Sequence, residues 1–235
     1  MSNGNFATTT PNQFINNPGV PPTDWSYNGG LATVYTSGAA DSTGALIINT
    51  RIYLWGPNNP NCPTLCSING LPAQDPYAPS GSNFFATDSD PGFSGAIFQM
   101  INVINGEEYV LSFNWAAAQL RNSLGNLWNA PKTGTQSRWT VSLGSQQILQ
   151  TAYAQIPDHG FSGWLQETVQ FIYNGPTGLA ALSFLADGSP FGLPPAALLG
   201  NVSLLSNVPE PATISLMSGS LLGLLAFSRR KKKRT

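Results

Sequence analysis

Apolar and polar positions alternate with a period of two through much of the second half of the chain. Tyr109, Leu111, Phe113 and Trp115 interleave with Val110, Ser112 and Asn114, and Trp139, Val141 and Leu143 with Thr140 and Ser142. Val169, Phe171 and Tyr173 repeat the spacing. Successive side chains of a strand point to opposite faces, so each run predicts a strand with one buried face. Residues 96–103 predict another, ended by the turn pair Asn105-Gly106, and Val202 and Leu204 the last. Residues 179–185 are more uniformly apolar, as expected of a central strand. Earlier in the chain, 32–35 and 45–55 are strand candidates, whereas 116–127 fits a short helix or an irregular loop. Residues 56–82 are broken by Pro57, Pro60, Pro63, Pro72, Pro76 and Pro79, which predicts a long loop beside the sheets. About eight strands with Gly/Pro turns and no long amphipathic helix predict an all-β fold, a two-sheet sandwich of jelly-roll plan.

Composition places this body outside the cytoplasm. Charged residues make up only 9% of the chain while 11% is aromatic, which suits a β-rich extracellular domain. Six of the ten basic residues fall at 229–234, leaving Arg51, Arg121, Lys132 and Arg138 in residues 1–205 against ten acids, a formal charge near −6. Such a surface disfavours nucleic acid and anionic lipid. Residues 1–205 are enough for one exported sandwich domain with a full core. Cys62 and Cys66 frame Pro63-Thr64-Leu65, and in an oxidising compartment they are expected to form a local disulfide of small entropic effect. Metal binding by this pair would need a second Cys or His pair, which the sequence lacks.

Residues 206–235 have a different character. Val208-Pro209-Glu210-Pro211 precedes an apolar run at 212–227 free of ionisable side chains, and Arg229, Arg230, Lys231, Lys232, Lys233 and Arg234 follow. The run predicts a single transmembrane helix of about 24 Å against a hydrocarbon core of about 30 Å, with snorkelling arginines covering the shortfall. The basic cluster sets its orientation, tail inward and body outward. Residues 1–6 have neither a basic n-region nor an apolar h-region, so the expectation is an upstream leader or another export route. This tripartite tail resembles the PEP-CTERM sorting signal of Gram-negative bacteria. The resemblance implies an exosortase as membrane-protease partner, transient anchoring in the inner membrane, and a final place at the cell surface or in the extracellular matrix.

A second resemblance lies in the body. Asp88-Ser-Asp90-Pro, Gly95-Ala-Ile-Phe-Gln99, Tyr109-Val-Leu-Ser-Phe113, Trp115-Ala-Ala-Ala-Gln119, His159-Gly-Phe-Ser-Gly-Trp164 and Leu182-Ser-Phe-Leu-Ala186 are similar to a PEP-CTERM protein group whose body resembles galactose-binding-like β-sandwiches. An acid before the final strand often helps hold a structural calcium in such folds; here the place reads Leu199-Gly200-Asn201-Val202, which speaks against that site. No cofactor is expected.

Candidates for catalysis are few. His159 is the only histidine, and Asp158 and Ser162 stand too close in sequence for a relay normally built from separate segments. Gly160-Phe161-Ser162-Gly163-Trp164 misses the nucleophile-elbow pattern at its last position, and Gly92-Phe93-Ser94-Gly95 repeats its tetrapeptide, as two strand-entry turns would. Asp88 and Asp90 are expected as solvated turn residues, with calcium ligation the sharper alternative. The body is therefore expected to be non-enzymatic and to bind exopolysaccharide or another carbohydrate, with an extracellular polysaccharide hydrolase as the alternative. Sugar recognition needs an aromatic ring beside amides, carboxylates or guanidinium groups. Arg121 and Trp128, in the polar segment 118–137 with Asn126, Asn129 and Lys132, are the preferred surface, and Trp55 comes second. Trp115, Trp139 and Trp164 are expected in the core.

Overall fold

The computed structural model describes residues 1–13, 15, 21–47, 50–55, 78–122, 134–158, 160–191 and 195–207. Cys62 and Cys66, Trp128, Lys132, His159, most of the Pro-rich segment and the whole of 208–235 lie outside the described residues, as does the side chain of Arg121.

Among the described residues thirteen strands form two antiparallel sheets. They are β1 (Ser26–Tyr27), β2 (Ala32–Tyr35), β3 (Ala45–Ile47), β4 (Thr50–Leu54), β5 (Phe84–Asp88), β6 (Ala96–Val103) and β7 (Glu108–Asn122). After these come β8 (Thr135–Leu143), β9 (Gln146–Gln150), β10 (Ala154–Ile156), β11 (Leu165–Ile172), β12 (Gly178–Ser189) and β13 (Pro195–Ser206). One sheet runs β1-β6-β12-β8-β10 with β9 also on β8; the other runs β2-β5-β13-β7-β4-β3 with β11 also on β7. The long strands change sheet at each step, β5 to β6 to β7 to β8 and β11 to β12 to β13, which is the alternation of a jelly roll. The all-β sandwich expected from the sequence is the fold observed, and β12 is central, between β6 and β8.

The alternating residues meet between the sheets. Leu111, Phe113 and Trp115 face Trp139, Val141, Leu143, Leu182 and Phe184 in one core. Trp139 crosses the gap, its Nε1 donating to the Leu198 carbonyl at 3.1 Å, so the largest core side chain also joins the sheets through a polar atom.

Two expectations need correction, for one physical reason. Residues 116–122 continue β7 rather than forming a helix or loop, and 45–55 is not one strand but the antiparallel pair β3–β4. Part of the outer face of the larger sheet is not solvated; there a second apolar cluster of Tyr35, Ala40, Ala45, Ile52 and Leu54 packs against Phe84, Ala86, Ala116, Ala118 and Ala196. A strand buried on both faces loses its alternation, and small alanines there leave room for the covering layer. Trp115 and Trp139 are core residues as expected; Trp164 instead lies just ahead of β11 and packs edge-on against Phe84, in the second cluster. Asn201, where the sequence lacks the acid, sits at positive φ in the irregularity that shifts the β13–β7 register. Its amide donates to Asn114 Oδ1 and the Pro79 carbonyl and accepts from Ser82, joining a short 3-10 turn (Pro79–Gly81) to the sheet.

Candidate functional site

The outward positions of β8 are Gln136, Arg138, Thr140 and Ser142, since Ser137, Trp139 and Val141 point into the core. Register brings Asp187 opposite Arg138 and Ser189 opposite Gln136 on one side, and Gln155 opposite Gln136 and Gln150 opposite Thr140 on the other. One polar surface results, built by strand pairing rather than by loops.

Its centre is Arg138. Nε and Nη2 both reach Asp187 Oδ2, at 2.8 and 2.7 Å, and Nη1 donates to Gln150 Oε1 at 3.1 Å. The guanidinium lies over the Tyr153 ring, 4.1 Å from its centroid, and the Tyr153 hydroxyl donates to the same Asp187 oxygen at 2.7 Å. That bond to a carboxylate holds the phenol above its ordinary pKa. Among the described residues, Oδ2 takes every contact of Asp187. Arg138 engages three of its five N–H groups with described residues, in a fixed plane. Amides extend the network: Gln150 Nε2 to Thr140 Oγ1, Gln155 Nε2 to Gln136 Oε1, and Gln136 Nε2 to Ser189 Oγ.

A cleft of about 340 Å³ adjoins this surface, lined by Gly134, Thr135, Gln136, Gln155, Ile156, Ser189 and Pro190. Gly134, Thr135 and Gln136, described residues of the preferred polar segment 118–137, line this cleft. Arg121 pairs through its backbone with Tyr53 on β4. Sequence reasoning missed Arg138, Tyr153 and Asp187. The signal was present in Arg138, one of four basic residues ahead of the tail and flanked by inward Ser137 and Trp139. Nothing in the sequence announced that Asp187 and Tyr153 would meet it.

The Asp88-Ser89-Asp90 turn, whose Ser89 packs against Gly188 and Ser137, is not solvated as expected. Asp88 and Asp90 are each 2% exposed and Ser89 is fully buried. Asp88 Oδ1 accepts the Asp90 amide at 2.9 Å, Asp90 Oδ1 accepts the Gly92 amide, and Ser89 Oγ bonds Ser137 and the Pro195 carbonyl. Burial pushes the Asp88 carboxyl up to about 7, with the Asp90 charge adding to the rise and the Asp90 amide opposing it. Among the described residues no three His, Cys, Asp or Glu side chains converge to hold a metal ion. Ser162 Oγ accepts the Ala117 amide and donates to the Gly163 carbonyl, bonds that tie the turn ahead of β11 to β7. The two Gly-Phe-Ser-Gly segments do both lead into strands, β6 and β11.

The class defined by this fold is a two-sheet antiparallel sandwich with a polar outer face. What distinguishes this particular chain is its end: residues 207–232 match the PEP-CTERM protein-sorting motif. The match begins one residue after β13 closes the sandwich at Ser206. Such a motif implies an exported protein processed by an exosortase. No curated protein matches the chain. Among solved structures, TmCBM61 in complex with beta-1,4-galactotriose is 12% identical, with 88% of this chain and 97% of that one covered and a TM-score of 0.44. A CBM4 structure is 14% identical, covering 74% and 94%, with a TM-score of 0.36. An apo cyclase from Fischerella sp. is 16% identical, covering 89% and 96%, with a TM-score of 0.47. Likenesses this distant say nothing about ligand or reaction. Among the described residues no helix is long and apolar enough to cross a membrane; the span expected at 212–227 lies outside them.

Proposed function

We propose that this chain is an exported, exosortase-sorted protein of the cell envelope or extracellular matrix, whose sandwich binds extracellular polysaccharide without catalysis. The observation that carries it is the sorting motif at 207–232, placed directly behind the last core strand, so that the folded body is cargo and the tail its address. Anchoring by residues 212–227, body outward, follows from the apolar run and the basic cluster behind it.

For the body, the Arg138–Asp187–Tyr153 group and the surrounding glutamines supply what sugar hydroxyls require: planar donors, a carboxylate and amide pairs on a rigid sheet. A pull-down of the full chain on its own cell's exopolysaccharide tests this. Arg138→Ala is expected to cut retention by at least about tenfold, the scale of one lost charge-assisted contact of about 1.5–3 kcal/mol. Retention unchanged in Arg138→Ala and in Tyr153→Ala removes the site. Trp128→Ala tests the contribution of the neighbouring segment.

A hydrolase is the second reading, favoured only by Asp88, whose carboxyl near 7 lies in the range useful for proton transfer. Its burial, with only 2% of the residue exposed, argues against direct contact with a polymer. Polymer turnover abolished by Asp88→Asn would favour it.

A further inference from the structure

The sandwich has one end where the sorting tail leaves, and that end carries exposed apolar side chains among its polar turns. It is formed by the 104–107 turn, the 173–177 turn and the close of β13, tied together by Gly106 N–H to the Tyr173 carbonyl, Asn105 Nδ2 to the Gly175 carbonyl and Asn105 N–H to Thr177 Oγ1. Four large apolar side chains stand out from it: Leu179 at 67% exposure, Leu205 at 65%, Ile104 at 56% and Ile172 at 53%. They are on both faces. Leu179 is on the outside of the smaller sheet, Ile172 and Leu205 on the outside of the larger, and Ile104 at the tip. Each stands within about 7 Å of the end of its strand, two residues at about 3.3 Å rise. Beside Ile104 opens a cleft of about 410 Å³ lined by Met1, Ile101, Ile104, Glu107, Tyr109 and Leu204 among others.

The exit point is fixed. Asn207 donates its backbone N–H to the Glu108 carbonyl and its side-chain amide to the Glu108 carboxylate, which also accepts Gln170 Nε2. These bonds hold the Glu108 carboxyl below its ordinary pKa, so the clamp is ionised at neutral pH. From Asn207 to the start of the apolar run at Ala212 are five residue steps, which reach at most about 17 Å when fully extended. Roughly 5–7 Å of that is taken by the headgroup layer. While the tail is in the membrane, the exit end therefore has no room to stand more than about 10 Å off the headgroups.

We propose that this end of the sandwich is a membrane-docking surface, seated on the outer headgroup layer of a zwitterionic bilayer with Ile104, Ile172, Leu179 and Leu205 in the interface. The proposal rests on the anchoring read above and goes beyond it, since an anchored body need not touch lipid. Glu107 and Glu108 at the same end, with no basic side chain among the described residues there, select uncharged over anionic headgroups. Isolated exposed apolar residues are ordinary; four ringing the point where the chain enters a bilayer are not.

The test uses the full chain, with Cys62 and Cys66 replaced by Ser, in phosphatidylethanolamine–phosphatidylcholine vesicles. An environment-sensitive fluorophore is placed on Leu179→Cys, on Phe191→Cys away from the exit end, or on Ser218→Cys inside the apolar run; Ile104→Cys serves if Leu179→Cys fails to fold. The exit-end label is expected to shift to the blue and to be quenched at least about twofold by lipids with a headgroup-level nitroxide, the depth of about 5–10 Å at which interfacial apolar faces lie. The Phe191→Cys label is expected to stay unquenched. Quenching at 218 by lipids with a mid-chain nitroxide, with none at 179 or 104 by the headgroup nitroxide, overturns the docking surface and leaves the anchor standing. No quenching at 218 by the mid-chain nitroxide overturns both. A blue-shifted exit-end label that lipid cannot quench means that a second copy or the tail covers the patch, and also overturns the proposal.

Discussion

Asp88 should make this protein less stable as the solution becomes less acidic, against the usual behaviour of carboxylates. Its side chain is 2% exposed, and burial lifts its pKa from 3.8 to about 7 in the folded state. A folded pKa above the unfolded one means that the native state binds the extra proton. The contribution is then fully present below about 4, declines as pH rises, and is gone above about 7. At about 1.36 kcal/mol for each pH unit between those two values, the loss is on the order of 4 kcal/mol, a ceiling because buried sites relax. Urea unfolding of the full chain in a mild nonionic detergent, at intervals from pH 4 to 8, measures it against Asp88→Asn. The substitution keeps the oxygen that accepts the Asp90 amide and removes the titration. Subtracting the two curves cancels the other titrating groups, including Glu108, whose lowered pKa gives a slope of opposite sign confined to more acidic solution. The difference, wild type minus variant, is expected to fall steadily between about pH 4 and 7. A flat or rising difference would refute the burial of an ionisable Asp88.

Other expected effects follow from the same packing. Gly188→Ala places a methyl group 2.2 Å from Ser89 Oγ and 2.8 Å from the Gln136 carbonyl, and should cost about 1–3 kcal/mol in urea unfolding. Trp139→Ala empties the centre of the inter-sheet core and removes the bond to the Leu198 carbonyl; a loss of about 3–5 kcal/mol is expected by the same assay. Arg138→Lys should leave stability within about 1 kcal/mol, because its ion pair with Asp187 is partly exposed, yet weaken polysaccharide retention because a lysine cannot span Asp187 and Gln150 together. A drop in stability with binding intact would reverse that assignment.

The strands legible in the sequence were those with one wet face. Tyr109 to Trp115 and Trp139 to Leu143 alternate because their outer neighbours meet water, and both lie where the period places them. Ala116 to Leu120 hid from the same test because a second apolar layer covers them, and a run buried on both sides carries no period. Asp88 and Asp90 misled for a related reason. Their turn looks polar, but its carboxylates are satisfied by their own backbone, and so it can be buried. The proposed binding surface was least legible. A ring and a guanidinium close in sequence suggested the segment around Trp128, whereas the described cluster is assembled by register across β8 and β12 with Tyr153 beyond β9. Pairing of that kind depends on sheet topology, which residue spacing does not contain. The tail needed no tertiary context, since a proline-flanked acid, an apolar run and a basic cluster are read along the chain itself.

The function proposed for the body depends on its delivery across a membrane and on handling at the motif behind Ser206. The most direct measurement is intact-mass and C-terminal peptide analysis of the protein isolated from its own cells, in surface and cytoplasmic fractions. The surface fraction is expected to hold a body that ends near Pro209–Pro211, without the arginine–lysine cluster at 229–234. Recovery of the chain only from the cytoplasm, still ending in Arg234-Thr235, would contradict the account.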